Sequence, residues 1–160
     1  MSKYNVLASR LQKELTAIQL VVETATSQIE KAKSSGDRDY ALAAAFSLQN
    51  FYTGVERVFE EIAKQVDRSL PSGSSSHKDL LEQMGLDLPK VRPVVLRDAT
   101  LEQLQDYRGF RHVAIHRYGF ELKLNRIQEL VASLPECYEN FAADLQLFCD
   151  FLLKLESQND

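Results

Sequence analysis

The longest helical pattern of this chain covers residues 121–156, which read ELKLNRIQELVASLPECYENFAADLQLFCDFLLKLE. Apolar side chains recur there at alternating spacings of three and four residues: Leu124, Ile127, Val131, Leu134, Tyr138, Phe141, Leu145, Phe148, Leu152 and Leu155. This pattern predicts a long helix whose apolar seam must pack against an antiparallel helix or a second subunit. Pro135 interrupts the pattern, which predicts either a kink there or two helices that meet at Ser133.

The amino-terminal part of the chain carries two more helical patterns. Residues 3–33 and roughly 38–69 each place apolar side chains three and four residues apart, which predicts two amphipathic helices. Gly36 suits a left-handed end of the first helix, and Asp37 or Asp39 is the expected N-cap of the second.

Gly54 lies inside the second predicted helix, where glycine costs about 1 kcal/mol relative to alanine. Close packing of the backbone against a neighbour is the expected reason for it. Glu56 is a polar residue on the same helix, and we expect it to face solvent rather than to support a site.

A different composition separates the second long helix from the third. Residues 70–76 read LPSGSSS, which is typical of a flexible loop, and a short helix is expected at about 77–84. For His77, near the start of that helix, we favour a structural contact over catalysis. Residues 86–98 have no helical period, which predicts an extended connector whose apolar side chains lie on the bundle: Val91, Val94, Val95 and Leu96.

The third long helix is expected to begin at Thr100. Thr100 followed by Gln103 has the spacing of a capping box, and Gly119 closes or bends the helix. Since no strand pattern is present, the prediction is an all-α, up-and-down bundle of four long helices plus one short helix, forming a single domain over residues 1–160.

The composition limits the classes of function. The net charge is −4 and the pI about 5.4, so any nucleic-acid site must be a local patch. Cys137 and Cys149 lie twelve residues apart in one predicted helix, about 18 Å along its axis, which is beyond the reach of a disulfide. Without a signal peptide or an apolar run that could span a membrane, we expect a cytoplasmic protein that has no membrane partner.

One segment, residues 107–126, is strongly basic. It holds five cations, Arg108, Arg111, Arg117, Lys123 and Arg126, against the single acid Glu121, a net charge of +4. Because the whole chain carries −4, the rest of it carries −8. This asymmetry predicts a focused site for an anion, and the segment also contains two of the three histidines, His112 and His116.

Arginine and histidine are the groups that metal-free RNA cleavage needs, since histidine transfers protons near neutral pH and arginine binds phosphate. In a straight helix Arg108, His112 and His116 share a face. Arg111 and His116 are about 140° apart around the axis, so they converge only if the helix ends or loosens between them. A metal pair at His112 and His116 is the less favoured alternative, since no third ligand has a telling spacing. On these residues alone, a solvated basic turn remains equally open.

The order Arg111-x-x-x-x-His116-x-Tyr118 resembles the Arg-x4–6-His motif of HEPN-domain proteins, and more narrowly the motif of HepT-type toxins. His112 stands at the polar second position of that motif. The blocks LQNFYTGVERVFE at residues 48–60 and HKDLLEQM at residues 77–84 are also similar to a HepT-like branch. The resemblance covers roughly residues 38–130.

The resemblance implies a homodimeric helical bundle in which the motifs of both protomers line one cleft. It further implies a metal-independent endoribonuclease that needs no cofactor and acts on RNA, including tRNA. Arg111 would stabilise phosphate charge, and His116 would be the general acid–base group. His112 would orient the pair or bind phosphate, and Arg117 would contact RNA, with Arg108 as a further accessory residue.

The resemblance also implies a partner and a switch. HepT-type toxins pair with an MNT-type nucleotidyltransferase antitoxin, which adds AMP to the tyrosine that matches Tyr118 and so blocks the cleft by charge and bulk. Many HEPN domains bind without cutting, however. A non-catalytic module that binds nucleotide, RNA or a partner protein therefore remains the alternative, and a purely structural dimer is a weaker third.

Overall fold

The computed structural model describes residues 2–158, which fold into four long helices and one short helix. The helices are α1 (Lys3–Ser35), α2 (Arg38–Ile62), α3 (Ser76–Met84), α4 (Asp98–Ile115) and α5 (Leu124–Gln158). A π-helical turn, Ala63–Asp67, extends α2, and a 3-10 turn, Gly119–Glu121, precedes α5. No β-strand is present within the described residues, and the all-α prediction is confirmed.

The long helices alternate in direction. The helix α1 runs antiparallel to α2, since Ser47 donates to Gln28 while Arg57 pairs with Glu14, and it also runs antiparallel to α5. The start of α1 meets the end of α5, where the Tyr4 amide donates to Glu156, and the Tyr138 hydroxyl donates to the Leu15 carbonyl further along the same pair. The helix α4 is also antiparallel to α5. The Tyr107 hydroxyl donates to the Leu130 carbonyl, whereas Asn140, later in α5, donates to Gln103, earlier in α4. This is the predicted up-and-down order.

The predicted apolar stripes form the core. The seam of α5 is covered by α1, α2 and α4 of the same chain, so the antiparallel partner that it required is internal. Phe141 packs edge-on against Phe59 of α2 with ring centroids 6.0 Å apart. The helix α5 continues through Pro135, so the alternative of two helices meeting at Ser133 is wrong.

Both cysteines are free and buried in α5, as predicted. Burial raises the pKa of Cys137 to about 12 and that of Cys149 to about 11. The thiols are therefore protonated at neutral pH and behave as small apolar side chains.

The predicted cap residues are confirmed at the turn between α1 and α2, but the predicted N-cap of α4 is wrong. Gly36 adopts the left-handed conformation at φ 70°, and the Asp37 side chain accepts from the Asp39 amide. The helix α4 begins at Asp98 with Arg97 as N-cap, so the prediction of Thr100 as N-cap is wrong. Thr100 is fully buried inside the first turn of α4.

The connector between α3 and α4 is held by a buried ion pair. Arg92 donates to both carboxylate oxygens of Asp67, at 2.6 and 2.8 Å, and also to three backbone carbonyls around it. The pair is fully shielded from solvent. Of the connector's apolar residues, Val95 and Leu96 are buried as predicted, whereas Val91 and Val94 are exposed, which corrects the prediction for those two.

Across residues 2–158, the helices are all too short or too polar to cross a bilayer.

The backbone of α2 packs so closely against α1 at Gly54 that a side chain would not fit, as predicted. A Cβ built at Gly54 would lie 2.8 Å from Cγ1 of the buried Ile18, whereas a Cβ at Gly109 of α4 would meet nothing within 4 Å. We expect Gly54→Ala to lower the free energy of unfolding by about 1–3 kcal/mol through overpacking. The matched Gly109→Ala variant should raise it by up to about 1 kcal/mol through helix propensity. Urea denaturation of both variants checks this, and shifts of the same sign would contradict the packing assignment.

Candidate functional site

The two histidines of the basic segment lie together at the carboxyl end of α4. The helix ends at Ile115, and the His116 amide donates to the Val113 carbonyl at 3.1 Å as the cap of the last turn. The rings of His112 and His116 stand edge to face with their centroids 4.8 Å apart. Both residues are exposed, so either imidazole can exchange protons with solvent or with a ligand.

Arg111 points away from these histidines, into the space between α2 and α3. It is 8% exposed, and its Nη2 donates to Oε1 of Glu56 at 3.0 Å while Nη1 donates to the Thr53 hydroxyl at 3.3 Å. The guanidinium also lies over the ring of Tyr52, 5.1 Å from its centroid. Within residues 2–158 no hydrogen bond joins Arg111 to His116. The guanidinium of Arg111 is thus committed to α2 and α3 and makes no direct hydrogen bond to the second motif residue within the described part of the chain.

Glu56 and His77 complete the cluster around Arg111. Glu56 is 6% exposed, so the expectation that it faces solvent is wrong. Its Oε2 lies 2.8 Å from Nδ1 of His77, whose side chain is 59% exposed, and the expected structural contact of His77 is therefore present. The same Nδ1 lies 3.1 Å from Nη2 of Arg111. The three charged or titratable groups thus meet at one point.

The hydrogen bonding of this cluster depends on the tautomer of His77. Its Nδ1 lies within hydrogen-bonding distance of an acceptor, Oε2 of Glu56, and of a donor, Nη2 of Arg111. A protonated Nδ1 donates to Glu56, whereas an unprotonated Nδ1 accepts from Arg111. Burial raises the pKa of Tyr52, and the nearby Glu56 carboxylate raises it further, so the phenol beneath Arg111 stays neutral.

Tyr118 is one of the most exposed residues of the segment. It is 71% exposed and stacks on Phe120, which is 74% exposed, with ring centroids 5.5 Å apart and planes inclined by 6°. The backbone of this turn is held by Arg38, which donates to the carbonyls of Phe120 and Leu122. The phenol is accessible to a modifying enzyme.

The accessory arginines differ in how free they are. Arg117 is mostly exposed and lies 3.9 Å from Glu121, a separation at which an exposed ion pair contributes little. Arg108 is half-buried, and its Nε donates to Gln105 at 2.9 Å. Arg117 is therefore available to an anion, whereas Arg108 is partly committed to its own helix.

The described residues contain no group of three or more His, Cys, Asp or Glu side chains placed to hold a metal ion. His112 and His116 stand as a pair without a third such ligand.

Comparison with known proteins identifies a family for this chain. A family model described as HepT-like protein matches residues 43–152, about two-thirds of the chain. No curated protein and no solved structure matches it. All the candidate residues, from Glu56 to Tyr118, lie within the matched range.

Proposed function

The chain belongs to the HepT-like family, and we propose that it is a metal-independent endoribonuclease toxin of a HepT/MNT-type pair that acts on RNA, tRNA among the candidates, in the cytoplasm. The observation that carries this proposal is the exposed pair of His112 and His116 at the end of α4, inside a segment of net charge +4. A cationic surface attracts the RNA backbone, and the imidazoles supply proton transfer.

His116 is proposed as the general acid–base group. In RNA cleavage a base removes the proton of the 2′-hydroxyl, this oxygen attacks the adjacent phosphorus, and an acid protonates the departing 5′-oxygen. His112, whose ring lies against that of His116, is proposed to orient it or to bind phosphate. Arg117 and Arg108 are proposed as accessory contacts to RNA.

Arg111 is proposed to stabilise the charge on the phosphate, and its contacts add a condition to that role. Glu56 neutralises the guanidinium of Arg111, and the Arg111 side chain is only 10% exposed. Its bonds to Glu56 and Thr53 leave further N–H donors, including Nε–H, for an anion. The phosphate must therefore approach beside Glu56, into the space between α2 and α3 that the guanidinium enters.

A homodimer is proposed because, within residues 2–158 of one protomer, Arg111 bonds to groups of α2 and α3 and not to His116. A symmetric interface near the end of α4 would supply each group twice. Three large apolar side chains without another proposed role are exposed in this part of the chain: Ile115, Phe120 and Leu124. Covering them would contribute to the association of two copies.

The proposed regulation acts at Tyr118. An MNT-type nucleotidyltransferase antitoxin is proposed to transfer AMP to its phenol, which is exposed and two residues from His116. The added phosphate would bring negative charge to the basic segment and compete with RNA. The high exposure of Tyr118 supports this assignment.

A second candidate is a non-catalytic HEPN module that binds nucleotide, RNA or a partner protein. The neutralisation of Arg111 by the buried Glu56 favours it, because an arginine held in this way serves packing as well as chemistry.

Expression of the chain alone in a bacterium separates the two candidates. We expect growth arrest with the wild-type chain, and rescue when an MNT-type nucleotidyltransferase is expressed beside it. A chain with Tyr118→Phe should resist that rescue, since the hydroxyl acceptor is gone. Normal growth on expression of soluble wild-type chain would contradict the toxin proposal and favour the binding module.

A further inference from the structure

The face of α4 that points away from Arg111 carries an open cleft. It lies between α4 and the connection leading into α5, encloses about 480 Å³, and has a largely apolar floor of Gly109, Phe110, Val113 and Leu122. Phe110 and Leu122 are each 8% exposed, so this floor is anchored in the core. A volume of this size falls in the usual range of small-ligand sites, roughly 300–1,000 Å³. Glu56 and His77 do not line it.

Gly109 is the unusual feature of this floor. Gly54 and Gly85 are required by side chains that a Cβ would strike, and Gly36 and Gly73 adopt positive φ angles. Gly109 and Gly119 have neither reason, and of these two only Gly109 lies inside an α-helix. Apart from its chain neighbours and the backbone of its own helix, nothing among the described residues lies within 4 Å of the ideal Cβ of Gly109. A glycine inside a helix costs about 1 kcal/mol relative to alanine. The absence of a side chain keeps the cleft open and lets a flat group lie directly on the helix backbone.

The rim of the cleft holds three cations and two acids, a net charge of +1. Arg117, Lys123 and Arg126 line it, together with the acids Asp106 and Glu121. The two arginines lie 3.9 Å from those acids in exposed pairs, which are weak, and Lys123 forms no ion pair within residues 2–158. The helix α5 begins at this rim, and the dipole of α5 adds positive potential there. The rim therefore suits a phosphate beside a flat apolar group.

The cleft also lies on the same side of α4 as the proposed acid–base group. His116 follows Gly109 by seven residues, about two helical turns, so the two positions differ by only about 20° around the axis and about 10 Å along it. If one base of an RNA strand lies in the cleft, the sugar–phosphate backbone of that strand can run along α4 towards His116.

We propose that this cleft is a subsite for one unpaired base of single-stranded RNA. The base lies flat on Gly109 beside Phe110 and Val113, and Lys123 contacts the adjoining phosphate. The subsite deepens the proposed function and rests on it, since it places the strand beside His116. It also assigns a substrate class, single-stranded RNA with an accessible base rather than a continuous duplex.

The test measures binding separately from cleavage. The probe is a short, fluorescently labelled single-stranded RNA with 2′-O-methyl groups throughout, which cannot be cut because it has no 2′-hydroxyl. Gly109→Leu fills the cleft, Lys123→Ala removes the phosphate contact, and Ala99→Leu is the matched control at an exposed position of α4 outside the cleft. We expect Gly109→Leu to weaken binding by about tenfold or more, because stacking of one base is worth about that much. Lys123→Ala should lower the dependence of affinity on salt, and Ala99→Leu should bind like the wild type.

The other outcomes separate the subsite from its alternatives and from the catalytic proposal. Wild-type chain that fails to bind the probe, or equal binding by wild type and Gly109→Leu, would overturn it. A Gly109→Leu variant whose sedimentation changes while its affinity does not would assign the cleft to contact with a second copy instead. Should Gly109→Leu unfold, Gly109→Ala must show a smaller loss of affinity in the same direction. If unmodified RNA is never cut while the cleft variants lose binding, the catalytic proposal fails and the subsite stands.

Discussion

His116→Ala should lower the rate of RNA cleavage by the purified chain by about 10²-fold or more, because general acid–base catalysis contributes roughly 10²–10⁴-fold. The exposed ring of His116 at the end of α4 makes few contacts beyond that with His112, so the fold should persist. The measurement is the initial rate on a labelled RNA, with the melting temperature of the variant as a check on folding.

Lys154→Ala is the matched control for this variant. Lys154 is exposed near the far end of α5, and its loss removes a positive charge without touching the basic segment. It should cleave at the wild-type rate. A His116→Ala variant that also retains the wild-type rate would refute the assignment of His116, and His112→Ala would then be the next variant to measure.

Glu56→Ala should lower the free energy of unfolding by about 3–5 kcal/mol, because it leaves the Arg111 guanidinium buried without its counter-ion. The two side chains are 7% and 10% exposed and are joined at 3.0 Å, so solvent cannot replace the lost carboxylate. Urea denaturation measures the loss. His77→Ala removes the exposed member of the same cluster and should cost less than about 1 kcal/mol.

A double variant distinguishes a lost ion pair from a lost side chain. Glu56→Leu combined with Arg111→Met replaces the pair with apolar groups of similar size and should recover most of the stability lost in Glu56→Ala. If the double variant is no more stable than the single one, or if Glu56→Ala costs less than about 1 kcal/mol, Arg111 is not held by this pair.

The helices could be predicted from sequence because their apolar residues repeat at a fixed period. The stripes of α1, α2 and α5 determine which face of each helix is buried. Gly36 and Asp37 mark the turn between α1 and α2, because each has the conformation or the cap bond that a helix end needs. Thr100 was assigned wrongly because a capping-box spacing occurs by chance inside the first turn of α4. The sequence does not predict that helices of the same chain cover the apolar seam of α5. The seam needs an apolar partner, and a helix of the same chain or a second subunit can equally provide one.

The cluster around Arg111 escaped prediction because its members are far apart in sequence. Glu56 does lie on the apolar stripe, four residues after Tyr52 and three before Phe59, and that position was the available signal of burial. Its partners come from α3 and α4, and periodicity does not reveal which helices pack together. Whether Arg111 faces His116 or Glu56 depends on the rotation of α4 against α2, which no local pattern specifies.

We propose above all that this HepT-like chain cleaves RNA without a metal ion. The decisive experiment is incubation of the purified chain with total tRNA in excess EDTA. We predict discrete tRNA fragments on a denaturing gel, in equal amounts with and without EDTA, and none with His116→Ala. Intact tRNA after incubation with folded wild-type chain, in EDTA and in added Mg²⁺ alike, would contradict the claim.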